Sequence, residues 1–475
     1  METMLDSIGS PAPADDGADV IEVRDPDDGS LVDTVPAATI ADVDAALARA
    51  EAGARISRSL PVHRRIAVLS TVARIVDERR EAFANTIARE GIKTIREARA
   101  EAARAAETLR LSAEEARRVT GETISFDQRA GSEDKIGYWI RQPIGVVVAI
   151  TPFNDPLNLV AHKVGPAIAA GNAVIVKPHS ATPLSALRLA DAFEEAGLPP
   201  GILQVITGRG ARIGDRLVSD PRVAMVSVTG GPEVGDRIVR LAGRKKLGLE
   251  LGANSPAIVL DDADLEPAAA AIVSGAFWAA GQNCLHVQRI IVQRGVAEPL
   301  RRLLVEATER LVTGRKLDVA TDVGPVISDA AADRIMVTVG EAIALGGRNL
   351  VGGTRRGRSI APTLIDRLPR SSRLAREEVF GPVAGIIEVD TIDEAVGIAN
   401  EVEQALHACV FTRDIGAAMR IVREVDSGAV LVNESTDYRI DAMPFGGVKG
   451  SGLGREGVPF AVREMTTTKV VCLNL

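Results

Sequence analysis

The sequence predicts an α/β protein built on two mainly parallel sheets. From residue 145 onward, short β-branched runs alternate with helical stretches, and the pattern restarts with different punctuation after about residue 255. The length of 475 residues supports two or three domains, because a single core stops growing near roughly 250–300 residues.

Residues 41–120 are rich in Ala, Arg, Glu and Leu at helical spacing, with Thr39 placed to cap the first helix. Further helices are expected around 61–90 and 93–119. GVVVAI (145–150) then reads as a buried parallel strand, followed by a helix with Asp155 as N-cap and Pro156 at its first position. NAVIVK (172–177), ILQVIT (202–207) and AMVSVT (224–229) read as strands separated by helices, one ending at Gly197 and one starting at Pro232. In the second half SPAIVL, RIIVQ, AGIIEV and AVLVN are strand-like, and 297–313 is helical. Ligands of such sheets bind at the carboxyl ends of the strands, where VVVAI meets TPFN, IVK meets PHS and VSVT meets GGPE.

Composition excludes several classes. A net charge of −8 argues against nucleic acid or an anionic membrane as partner, and 3% aromatic residues leave no base-stacking surface. No run of 18 uncharged apolar residues suggests a transmembrane helix. The acidic N-terminal stretch lacks the basic and apolar regions of a signal peptide. Three cysteines form neither a disulfide framework nor a metal cluster, so no metal is expected and a reducing cytoplasm fits.

Among those cysteines, Cys284 lies where a helix runs into a Gln-Asn-Cys turn, whereas Cys409 and Cys472 sit in apolar runs. On residue type alone Cys284 is either a nucleophile or a small hydrophobe. Glu250 puts one carboxylate into an apolar strand. That is costly unless the group is paired or its pKa rises, and a raised pKa suits a general base. Asn154 could donate to an oxyanion or cap a helix. Lys177, closing a strand, could reach a ribose or simply face solvent. GRGARIG (208–214) misses the GxGxxG spacing and TGGPEVG (229–235) is not a P-loop, yet each sits where a strand enters a helix.

Taken together, TPFNDPL (151–157), IVKPHSATP (175–183), VTGGPEVG (228–235), LELGANSP (249–256), GQNC (281–284), EEVFGPV (377–383) and MPFGGVKGSGLGRE (443–456) closely resemble the aldehyde dehydrogenase superfamily from about residue 20 onward. The resemblance implies a Rossmann-type cofactor domain, an α/β catalytic domain and a small β oligomerisation flap. It implies that Cys284 attacks the aldehyde carbon and that the Asn154 side chain and the Cys284 N–H hold the oxyanion. Glu250 would activate water against the thioester, with Lys163 and Glu456 behind it as a proton relay. It places Ile150, Thr151, Phe153, Lys177, His179, Ser180, Gly210, Gly230, Gly231, Val234, Leu251, Glu378 and Phe380 around NAD(P). Lys177 would hold the adenosine ribose, Glu378 the nicotinamide ribose, and Phe380 would pack near the nicotinamide.

Departures refine the expectation. NAD-preferring members carry Glu three residues after the lysine; here the position is Ser180, so repulsion of a 2′-phosphate is absent and NADP is permitted as well as NAD. Gly231 replaces a frequent Ser and Ala253 the second Gly of LELGG. Glu250 separates the chain from the CoA-acylating branch. The 154–172 and C-terminal segments resemble the branch acting on lactaldehyde, phosphonoacetaldehyde and succinate semialdehyde. A small polar or anionic aldehyde is therefore expected, with aliphatic or aromatic aldehydes as the alternative and a thiol esterase or a non-catalytic binding protein as remote ones. Arg110, His162, Asn283, His286, Tyr438 and Arg439 are the expected substrate contacts, and Arg289 resembles a structural arginine. The expected division is an NAD(P)-binding domain (1–127 and 146–251), a catalytic domain (252–442) and bridging segments (128–145 and 443–475). Exposed strand edges in the bridging segments suggest a homodimer or homotetramer.

Overall fold

The computed structural model describes residues 20–475; the acidic N-terminal stretch read above as lacking a signal peptide lies outside them, apart from Val20. Helix α1 (Ile40–Ser59) starts in a capping box: Asp42 N–H donates to the Thr39 hydroxyl and Thr39 N–H to the Asp42 carboxylate. The single helix expected over 61–90 is two, α2 (Val62–Glu78) and α3 (Arg80–Glu90), broken at Arg79. The break turns both apolar faces, Val68–Val72–Val76 and Phe83–Ile87, into one core. Helix α4 (Ile95–Glu115) follows, capped by Thr94 and ending in a single 3-10 turn.

The expected start of the next helix is corrected. Helix α5 spans Asn158–Ala169, and Asp155 does not cap it. The Asp155 carboxylate is taken by Lys93, and the Leu157 and Asn158 N–H groups donate instead to Glu101 on α4. The helix expected over 297–313 likewise begins earlier and ends sooner, at Arg294–Glu309.

Two large sheets form the frame. A six-stranded sheet runs in the order Gly452–Leu453, Lys246–Glu250, Val223–Thr229, Val146–Ile150, Ala173–Lys177 and Leu203–Val205, parallel except for the two-residue edge Gly452–Leu453. α2 to α5 cover one face, and α1 with helices Gly210–Ser219 and Pro232–Ala242 covers the other. A seven-stranded sheet runs Arg348–Val351, Thr363–Asp366, Val383–Val389, Val287–Gln293, Ser255–Val259, His407–Phe411 and Ala429–Val432. His407–Phe411, next to the edge strand Ala429–Val432, is fully buried and holds Cys409.

The third sheet pairs Lys135–Pro143 with Thr466–Asn474 in antiparallel register, Pro143 opposite Thr466. Glu122–Ser125 adds a strand that the sequence reading did not anticipate. Residues 443–465 do not join this sheet. Val448–Lys449 pairs with Gln404–Ala405, and the helix Val458–Glu464 packs on α4 and α5. Among the described residues no helix is long and apolar enough to cross a membrane.

Candidate active site

Strand and helix ends converge between the two large sheets. Asn154 follows Val146–Ile150, and Glu250 ends Lys246–Glu250. Cys284 follows the helix Leu265–Phe277 and a tight turn. Cys284 is half-buried, and burial pushes its thiol pKa up. The Glu378, Asp155 and Glu250 carboxylates act in the same direction, while Arg439 opposes them. One thiol is thus within reach of the fields of groups from four segments.

Glu250 is 3% exposed, and its Oε2 has no hydrogen-bond partner. Burial raises its pKa well above the usual carboxylate value, and the neighbouring Glu456 charge adds to the rise. Burial also opposes ionisation of Glu456, yet Lys163, His162 and Arg439 together outweigh it. The Lys163 ammonium donates to Glu456 Oε1 at 2.6 Å and the carboxyl is held at about 2. Two buried carboxyl groups are therefore driven apart, one toward neutrality and one firmly charged. That split lets a single site both hold and accept a proton.

Most of the residues expected around the dinucleotide lie at the strand ends of the six-stranded sheet. Phe153 meets Phe380 edge-on at 5.7 Å between ring centroids and His179 at 5.3 Å. The Ser180 hydroxyl donates to the Gly208 carbonyl, and Lys177 is buried beside Gly210, the first residue of its helix. Gly230 N–H donates to the Glu250 carbonyl, Leu251 is buried, and Val234 lies in the first turn of Pro232–Ala242. Neither that helix, which Gly231 precedes, nor Gly210–Ser219 has a side-chain cap, so both starts offer backbone N–H groups to an anion. Thr151 Oγ1 is buried without a partner, and Ile150 is half-buried beside it. Glu378 is pushed up to about 7 by burial, against the Ala253 N–H that donates to it and Arg334. A Cβ at Gly252 would lie 2.3 Å from Glu378 Oε2, so the carboxylate fits only against glycine. Uncapped helix starts, an orphaned hydroxyl and buried ribose-type acceptors suit a dinucleotide.

Among the residues expected to contact substrate, His162 Nε2 lies 2.9 Å from Asp441 Oδ1 and 3.5 Å from Arg439 Nη2. Burial, aided by the Arg439 charge, lowers its pKa against the opposing hydrogen bond to Asp441. The Arg439 guanidinium stacks 3.7 Å over the Phe445 ring and lies 3.6 Å from Glu456. Tyr438 is exposed, and the Asn283 side chain accepts from Leu285 N–H within its own turn. His286 is buried, hydrogen-bonded to the Ala276 backbone, and held down at about 3 by burial.

Arg110 is not brought to this place. It lies on the outer surface, where its guanidinium donates to Asp77 and Glu107. Arg104, on the same helix but a different face, donates to Asp441 at 2.7 Å and is the arginine that reaches the cluster. Asn158 completes it, donating to Asp441 at 3.4 Å and accepting from Thr108. Sequence reading missed Arg104, Asn158 and Asp441. Arg104 carried one legible signal, since four residues separate it from the buried Thr108 on one helical face.

The pattern of the Aldehyde dehydrogenase family matches residues 13–471. Aspartate-semialdehyde dehydrogenase 1 of Pseudomonas canavaninivorans is 47% identical, over 96% of this chain and 97% of that protein. The 3-sulfolactaldehyde dehydrogenase of Priestia aryabhattai is 44% identical, over 93% and 92%. A crystal structure of NADP-dependent glyceraldehyde-3-phosphate dehydrogenase from Bacillus halodurans, complexed with NADP, superposes with a TM-score of 0.95 at 39% identity, covering 97% of each chain. Agreement in pattern, in sequence and in fold runs along nearly the whole length. The chain belongs to the aldehyde dehydrogenase family and is an NAD(P)-dependent enzyme.

Proposed function

We propose that this protein oxidises a small anionic aldehyde to its carboxylic acid without passing the acyl group to CoA. The Cys284 thiol gives up its proton to solvent and the thiolate adds to the aldehyde carbon, while the Asn154 amide with the Cys284 N–H stabilises the oxyanion of the thiohemiacetal. NAD(P)+, when bound, supplies the hydride acceptor for its oxidation. Glu250 then takes a proton from water as that water attacks the Cys284 thioester, and the thiolate leaves. Lys163 and Glu456 provide the fixed charges behind the base. The observation that carries the reading is Glu250 itself, a buried carboxylate with a raised pKa and an unpartnered oxygen beside an ion-paired Glu456.

The anionic class rests on Arg104 and Arg439. Each has a buried Nε without a partner, and the Arg104 side chain is 37% exposed, open to a ligand. Aspartate semialdehyde, sulfolactaldehyde and glyceraldehyde 3-phosphate, named for the relatives, all carry an anionic group close to the aldehyde. Arg104 takes the place first expected of Arg110, sharing Asp441 with His162. Arg104→Ala is expected to raise KM for these aldehydes by about tenfold or more, the scale of a lost charge-assisted hydrogen bond, and to leave hexanal unchanged. Equal losses for both kinds of aldehyde would remove Arg104 from substrate binding. The parent assay follows absorbance at 340 nm with NAD+ and NADP+ over anionic, aliphatic and aromatic aldehydes. Faster turnover of hexanal or benzaldehyde would overturn the anionic reading.

We further infer that the 150–180 and 208–234 segments with Glu378 and Phe380 hold the dinucleotide, and that Ser180 admits NADP. Ser180→Glu is expected to raise KM for NADP+ about tenfold or more by charge repulsion while sparing NAD+. An unchanged ratio in nucleotide titrations would place the 2′-phosphate elsewhere. The division into NAD(P)-binding, catalytic and bridging parts, and assembly into a homodimer or homotetramer, belong to the same proposal. Ile136, Tyr138, Val470 and Leu473, all exposed on the three-stranded sheet, support the assembly.

A further inference from the structure

Three consecutive residues before the Gln282-Asn283-Cys284 turn adopt left-handed backbone: Ala279 (φ 52°), Ala280 (φ 51°) and Gly281 (φ 65°). For alanine this region is unfavourable, because Cβ crowds the following carbonyl oxygen. Such strain persists only where the surroundings over-determine it, and it gathers at functional sites. Gly281 meets its requirement by having no side chain, since a Cβ there would lie 2.1 Å from the Gly381 carbonyl oxygen. The alanines have no such freedom.

What holds Ala279 comes from a distant part of the chain. Glu97, in the first turn of α4, is buried. Its Oε2 accepts from Thr94 N–H at 2.8 Å, completing the capping box, and its Oε1 accepts from Ala279 N–H at 2.7 Å. The Thr94-x-x-Glu97 pattern would ordinarily mark a solvent-facing helix start. Here the cap aims the second oxygen at a residue 182 positions further along. One helical turn on, Glu101 accepts from Leu157 N–H at 2.8 Å and Asn158 N–H at 3.0 Å, and it shares Lys93 with Asp155. Two buried carboxylates on one helical face thus grip the two backbone segments that carry Asn154 and Cys284.

We propose that Glu97 is a positioning residue for the nucleophile: its carboxylate keeps the 279–281 turn left-handed and so sets Cys284 against Asn154, whose segment Glu101 anchors from the same helix. The inference rests on the reading of Cys284 as nucleophile. It requires that Glu97 act as an acceptor of the Ala279 N–H, not merely as part of the core.

The test compares Glu97→Ala, Glu97→Gln, Glu97→Ala combined with Ala279→Gly, and Val72→Ala, a core truncation in α2 away from the turn. Readouts are the pre-steady-state rate of NAD(P)H formation, KM for the nucleotide, and the thermal midpoint. Glu97→Ala is expected to slow the first turnover by about tenfold to a hundredfold, as small misplacements of a reacting group do, with nucleotide KM within about twofold. Glu97→Gln, which keeps an acceptor oxygen, should recover most of the rate. Ala279→Gly should restore part of it in the Glu97→Ala background, because glycine adopts the left-handed turn without support. Val72→Ala should lower the midpoint and leave the first-turnover rate unchanged. A first turnover in Glu97→Ala within about twofold of the parent, or no recovery with either Gln or the added glycine, would overturn the proposal. Cys284→Ser separates the two levels. Full NAD(P)H formation in that variant would sink the nucleophile reading itself, whatever the Glu97 variants do.

Discussion

Cys284→Ala is expected to lose aldehyde-dependent NAD(P)H formation by at least about 10⁴-fold, since removing a covalent nucleophile removes the whole pathway through the thiohemiacetal and thioester. Nucleotide binding and thermal midpoint should stay near those of the parent. The side chain is half-buried and small, and the residues proposed to hold the dinucleotide come from other segments. Absorbance at 340 nm, fluorescence titration with NADP+ and a melting curve check the three statements on one preparation. Residual turnover above about 1% would show another route and remove Cys284 from the chemistry. Asn154→Ala belongs to the same step, with a smaller loss of about 10²–10³, the usual cost of one oxyanion donor.

Glu250→Gln should separate the two halves of the reaction. Steady-state turnover is expected to fall by about 10²–10⁴, the range of general-base catalysis. A burst of one NAD(P)H per active site should survive, because acylation of Cys284 precedes the step that needs the base. Rapid-mixing absorbance distinguishes this from simple inactivation. Loss of burst and turnover together would mean that Glu250 acts on the thiol instead. The pH dependence carries a sign. Burial and the Glu456 charge raise the Glu250 pKa, and only the ionised form can accept a proton. Turnover in the parent should therefore fall as pH drops through that raised value, while Glu456, held at about 2 by Lys163, stays charged throughout. The acidic limb should vanish in Glu250→Gln.

The paired carboxyl groups explain why one lysine serves the site. Were Lys163 removed, Glu456 would lose the charge that offsets its burial and would compete with Glu250 for the same proton. Lys163 also donates to Ser227 at 3.2 Å, which fixes its head between the strand Val223–Thr229 and Glu456. The Arg439 guanidinium, stacked on Phe445, extends the same chain of charges toward His162, Asp441 and Arg104. Glu456 and the proposed anion pocket are thus connected by consecutive contacts of side chains.

The strands Val146–Ile150, Ala173–Lys177 and Val223–Thr229 were legible from residue order alone, as were the Thr39 cap, the turn that carries Cys284 and the carboxylate at the end of Lys246–Glu250. Each is written in local signals: β-branched runs, a T-x-x-D capping box, a lone charge in an apolar strand, and motifs whose chemistry sits within a few residues. Other features depended on partners far away in the chain. Asp155 has the composition of a cap, but Lys93 binds it and Glu101 caps α5 in its place, across 56 positions. Arg110 and Arg104 look alike in the sequence of α4, and only the direction of their side chains around the helix sends one to Asp77 and the other to Asp441. The Glu122–Ser125 strand is four residues with little pattern, and it exists because Lys135–Pro143 offers a free edge. Local propensity writes helices, strands and turns into nearby residues, whereas pairing between segments hundreds of residues apart is settled by packing and by the need to satisfy buried charge.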